Sequence, residues 1–120
     1  MKIIKVGNNE YKMQSSAYTQ FAYKNKTGRS LLKDMQYLVD KTEEIDKGEI
    51  SLDDLDPITE LLLNVAFVMI EEADKSQVTD YDTFLKSIDN LYDDMQWIYD
   101  VIKLGCAPIS RQLQNLNNQK

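Results

Sequence analysis

Histidine is absent from this chain of 120 residues, and cysteine occurs once, at Cys106. Without imidazole, the commonest general base and metal ligand is missing, so a nucleophile would need a carboxylate or lysine partner. One cysteine closes no internal disulfide, which fits a reducing compartment. Its surroundings, Leu104-Gly105-Cys106-Ala107-Pro108, hold no activating group, so the thiol reads as packed or idle. Four glycines are too few and too scattered for a phosphate-cradling loop, and each reads as a turn or a helix stop. Long apolar runs are lacking as well. The most apolar stretch, 58–70, is interrupted by Thr59, Glu60 and Asn64 and falls short of the ~20 residues of a membrane span. The N-terminus lacks the apolar core and cleavage pattern of a signal peptide, so a soluble protein away from membranes is expected.

What is present is ordinary for a folded domain: 42% hydrophobic and 28% charged residues, too apolar for intrinsic disorder. Net charge is −6, which argues against a general nucleic-acid binder. The charge is unevenly spread. Residues 1–33 carry seven basic groups and one acid, Glu10, whereas residues 34–100 carry nineteen acids and four basic groups. Such blocks can pair within the fold, remain solvated, or pair head to tail between copies. Acid pairs such as Glu43-Glu44, Asp53-Asp54 and Asp93-Asp94 read as helix starts and wet faces. A carboxylate-only metal enzyme is the reading they favour least, and no cofactor is expected.

The pattern predicts a mainly α, single-domain bundle of about five helices with a short N-terminal β-hairpin. Residues 3–6 and 10–13 flank Gly7-Asn8-Asn9, a hairpin signature. A lone hairpin is marginal in water, so it must lie on the helices or pair with another edge. Ser15 or Ser16 caps a helix from Ala17 to about Lys26, with Tyr18, Phe21, Ala22 and Asn25 on one face and Gly28 as its stop. Ser30 caps a second, whose apolar positions Leu31, Leu32, Met35, Leu38, Val39 and Ile45 recur near 3.6 residues until Gly48. Asp56-Pro57 reads as the start of a third, running to about Lys75 and apolar nearly all round, hence central or covered on one side by another protein. Thr79-Asp80 opens a short helix with Tyr81, Phe84, Leu85 and Ile88. A last one is expected from about Asn90 to Leu104, closed by Gly105 and Pro108. The domain is thus placed at 1–108, with 109–120 as a polar tail in which Ile109, Leu113 and Leu116 form a stripe only if the segment is helical.

Aromatic residues are plentiful, with seven tyrosines and one tryptophan. They pack cores well and also serve binding faces. Tyr92, Trp97, Tyr99, Ile109, Leu113 and Leu116 are the candidate partner-binding residues.

The stretch from Lys12 to Met35 resembles the start of the tail assembly chaperones of long-tailed bacteriophages and prophages. It carries Ser16-Ala17, the aromatic-basic pair Tyr23-Lys24, the step Gly28-Arg29-Ser30 and the apolar Leu31-Leu32. The segment Val65-Ala66-Phe67-Val68-Met69 and the later Tyr81-Asp82-Thr83-Phe84-Leu85 are also similar, with Phe84 where family members often have Trp. The likeness spans roughly residues 1–100. It implies a non-enzymatic helper in the host cytoplasm that is not part of the mature virion. Such a helper binds the tape measure protein, keeps it soluble and helps bring in tail tube subunits, often through a longer frameshifted form. A homo-oligomer is expected, and nucleic acid is not an expected partner. The alternative is an acidic interaction protein that imitates nucleic-acid charge and blocks a DNA-binding protein; the acidic middle supports it and the basic N-terminus opposes it.

Overall fold

A computed structural model describes the backbone of residues 1–118 and the side chains of residues 1–108. Two antiparallel strands, β1 (Lys2–Val6) and β2 (Asn9–Met13), precede five α-helices. These are α1 (Ala17–Thr27), α2 (Leu31–Asp46), α3 (Leu52–Ala73), α4 (Tyr81–Lys86) and α5 (Gln96–Asn118), with a 3-10 turn at Lys75–Gln77. The mainly helical bundle with its N-terminal hairpin is as the sequence predicts.

The hairpin alternates as a strand pair over a core must. Ile4, Val6, Tyr11 and Met13 are buried, while Lys5, Glu10 and Lys12 face solvent. Its Val6↔Asn9 and Lys2↔Met13 pairing leaves a two-residue turn. Hydrogen bonds to the helical part then tie the hairpin down. Gln77 accepts the Lys12 N–H at 2.7 Å and donates to the Lys12 carbonyl at 2.9 Å, standing in for a third strand along the β2 edge. Asn9 donates to the Ser87 carbonyl at 2.8 Å. The Gln14 N–H reaches the Met69 carbonyl at 3.1 Å.

Helix α3 is the axis of the molecule. Ile58, Leu62, Leu63 and the run Val65–Ile70 are all buried, so its apolar girth is covered by the hairpin, α1, α2 and α5. Phe67 lies inside an aromatic cluster, with Tyr81 and Phe84 centroids at 5.4 and 5.5 Å. The helix starts at Leu52 rather than at Pro57, because Ser51 accepts the Asp54 N–H and Asp53 and Asp54 occupy the positive first turn. Pro57 consequently lies inside the helix.

Two further boundaries differ from expectation. α5 begins at Gln96, not Asn90; the preceding residues form turns, Asn90 has φ 58°, and Asp94 caps the Gln96 N–H at 3.0 Å. At its other end α5 passes through both expected stops and continues to Asn118. Gly105 is buried at a close crossing instead: a Cβ there would stand 3.0 Å from the Met35 methyl and 3.5 Å from Val65. Pro108 removes the N–H that would bond the Leu104 carbonyl, and the Ser15 hydroxyl supplies a replacement donor at 2.7 Å. The backbone of 109–118 therefore continues α5, and its side chains lie outside the described residues.

Candidate interaction surface

The joint between α1 and α2 holds the most elaborate polar cluster. Gly28 ends α1 in the left-handed region (φ 75°), where its N–H bonds the Lys24 carbonyl, and Ser30 caps α2 through the Lys33 N–H. Between them Arg29 forks onto Asp34, with Nε–Oδ2 and Nη2–Oδ1 both 2.8 Å. The Tyr23 hydroxyl donates to the same carboxylate at 2.6 Å. Asp34 is only 4% exposed. Burial alone would push its carboxyl up, but the Arg29 and Tyr23 bonds hold it below the ordinary range. Burial and the Asp34 carboxylate push the Tyr23 hydroxyl well above its usual value.

The start of α1 is fastened in a similar way. Ser16 and Thr19 form a reciprocal capping box, and both hydroxyls donate to Glu72, at 2.8 and 2.6 Å. Thr19 and Tyr23 are thus the buried side of α1. The face bearing Tyr18 and Phe21 points outward, 62% and 64% exposed. Tyr18 edges a groove of about 510 Å³ between α1 and α3, with Ala22 and Val68 beside Lys26 and Glu71. A second groove, of about 440 Å³, lies between α2 and α3 beside Arg29, Tyr37 and Leu61.

Of the six residues singled out from sequence, the three described ones, Tyr92, Trp97 and Tyr99, differ in exposure. Trp97 is withdrawn from the partner surface: it is 1% exposed, and its indole N–H donates to the Leu91 carbonyl at 2.8 Å. A large ring beside an apolar strip served the core. Tyr92 is 45% exposed, with its hydroxyl 2.8 Å from that of Thr59. Tyr99 is half-buried and donates to Asp46 at 2.7 Å, tying α5 to the end of α2; that bond raises its pKa. The side chains of Ile109, Leu113 and Leu116 lie outside the described residues. The α1 face was legible as a face, but its exposure was not, because polar Thr19 rather than Phe21 supplies the inward contact.

Among the described residues no three His, Cys, Asp or Glu side chains gather where they could hold a metal. Burial pushes the Cys106 thiol up, away from the reactive thiolate. No helix among the described residues is long and apolar enough to cross a membrane. The chain matches no protein-family model, no curated protein and no solved structure.

Proposed function

We propose that the protein is a non-enzymatic tail assembly chaperone of a long-tailed phage or prophage. It binds the tape measure protein in the host cytoplasm, keeps that protein soluble, helps recruit tail tube subunits and associates with itself. The observation that carries this reading is the work done by the residues behind the resemblance. Ser16 caps α1, Tyr23 and Arg29 converge on Asp34, Gly28 ends α1 and Ser30 starts α2. A motif whose polar residues Ser16, Tyr23, Arg29 and Ser30 serve to cap and join helices is what a binding scaffold needs.

The tape measure protein is taken to be long, helical and apolar, so its natural dock is a helix side with exposed aromatics. Tyr92, the half-buried Tyr99 and the far part of α5 are the proposed contacts, and the acidic surface keeps the complex in solution. The test is co-expression of the full chain with the tape measure protein encoded beside it. A several-fold gain in soluble tape measure protein, with co-purification, is expected. Tyr92→Ala should reduce that gain while circular dichroism stays unchanged. No gain in solubility and no co-purification would overturn the reading. Competition with duplex DNA for a host protein would favour the nucleic-acid mimic.

A further inference from the structure

The charge blocks seen in the sequence are not consumed inside the fold. Of the seven basic residues in 1–33, only Lys2 and Arg29 pair with acids among the described residues, at Asp100 and Asp34. Lys5, Lys12, Lys24, Lys26 and Lys33 are exposed and form no ion pair there. Helix α1, which has no acid of its own, presents Tyr18 and Phe21 beside Lys24. The opposite sign gathers at the corner between α2 and α3. There Glu43, Asp46, Glu49, Asp53 and Asp56 are exposed around Lys47. In their midst Leu52, the first residue of α3, is 83% exposed.

Each of these two surfaces has an uncovered apolar centre; the Leu52 corner is acidic apart from Lys47, whereas the outward side of α1 carries the free charge of Lys24, with Glu71 and Glu72 confined to the groove on the α3 side of Tyr18. They cannot meet within one chain. The start of α1 is bonded to Glu72, near the end of α3, whereas Leu52 opens that helix. At 1.5 Å per residue the two points are about 30 Å apart along a rigid helix. That is several times the screening length of about 8 Å at physiological salt.

We propose that the Leu52 corner of one copy docks on the Tyr18–Phe21 face of α1 in the next copy. The contact deepens the self-association proposed above and rests on that part of the reading, not on tape measure binding. Leu52 inserts beside the two aromatic rings while the surrounding acids meet Lys24; Lys26 is held over the Phe67 and Tyr81 rings of its own chain, at 4.2 and 5.4 Å. Because the two surfaces differ and lie at opposite ends of α3, the contact is heterologous: each added copy exposes a fresh surface of each kind, giving a chain or a ring.

Sedimentation velocity on the full chain alone tests this. At about 50 mM salt the mean mass should rise with concentration above the 13.9 kDa of one chain, and it should fall back toward it at about 0.5 M salt. Phe21→Glu/Lys24→Glu removes one surface and Leu52→Lys/Asp56→Lys removes the other. Each variant, folded by circular dichroism, should be monomeric by itself. Mixed together, they retain one intact surface of each kind and should form a 1:1 dimer that grows no further. A wild-type monomer at low salt overturns self-association itself. Oligomers that ignore salt, folded variants that still assemble, or a mixture that stays monomeric overturn this contact. Co-expression with the tape measure protein reads the chaperone function separately, so the two failures are distinguishable.

Discussion

Asp34 carries more of the N-terminal architecture than any other single side chain. It is a buried carboxylate that accepts from Tyr23 and from both arms of the Arg29 fork, so α1, the joint and α2 share one anion. A buried acid is tolerable only with such partners, and removing them is costly. Because folding holds this carboxyl below its ordinary value, the native state gains from its ionised form. That gain is fully present above the unfolded value near pH 4 and is lost as the pH falls through the lower native value. Asp34→Asn should therefore cost about 1.5–3 kcal/mol at neutral pH, the range for hydrogen bonds to a charged group. The gap between variant and wild type should narrow on acidification below about pH 4. Urea unfolding at neutral pH and near pH 3 measures both. A gap that stays constant with pH would mean that the carboxylate's charge plays no part. The composition offered no sign of this cluster, since an acid four residues into a helix looks like any favourable first-turn acid.

At the scale of elements, three helix starts and the stops at Gly28 and Gly48 were legible, whereas the starts of α3 and α5 and the end of α5 were not. Ser16, Ser30 and Asp80 announce helices because a side-chain oxygen beside an amide is a local event, complete within three residues. The hairpin and the apolar girth of α3 were legible for a similar reason, as short-range period and bulk hydrophobicity express themselves without a partner. Gly105 and Pro108 misled because their meaning is set by remote residues. Gly105 is a crossing point against Met35 and Val65, and Pro108 is accommodated by Ser15, some ninety positions earlier. Tyr18 and Phe21 were placed on one face correctly, yet which side of α1 turns inward depends on Glu72 and Asp34, which lie on other helices. The Ser15 bond can be checked directly. Ser15→Ala leaves the Leu104 carbonyl without its substitute donor and should cost about 1–2 kcal/mol. In the background of Pro108→Ala, which restores an N–H to that carbonyl, the same substitution should cost less than half as much. A double-mutant cycle by thermal unfolding gives the coupling. Additive losses would mean that Ser15 does not compensate for the proline.

For the whole molecule, the question is where the folding unit ends along α5. Its described core contacts come from one stretch: Trp97, Ile98, Val101 and Ile102 are buried, and Gly105 is the last buried position that is described. These residues already close the bundle against α2, α3 and β1. Beyond Pro108 the backbone remains helical to Asn118, but the sequence there is poor in apolar groups, with Ile109, Leu113 and Leu116 among three asparagines and three glutamines. Burying three aliphatic side chains yields about 1.5–3 kcal/mol each at best. Ordering ten backbone residues costs about 1–2 kcal/mol apiece, offset only in part by helical hydrogen bonds. The segment therefore adds little to the stability of an isolated chain, whatever it adds to a complex. A chain ending at Pro108 should keep its melting temperature within about 3 °C, a shift worth less than about 1 kcal/mol for a domain of this size. Its ellipticity at 222 nm should fall only by the share of the deleted turns. If the truncated chain also loses soluble recovery of the tape measure protein, the end of α5 belongs to the partner surface. A fall in melting temperature beyond about 10 °C would instead make Ile109, Leu113 and Leu116 part of the fold. The division between a domain at 1–108 and an appended segment would then be wrong.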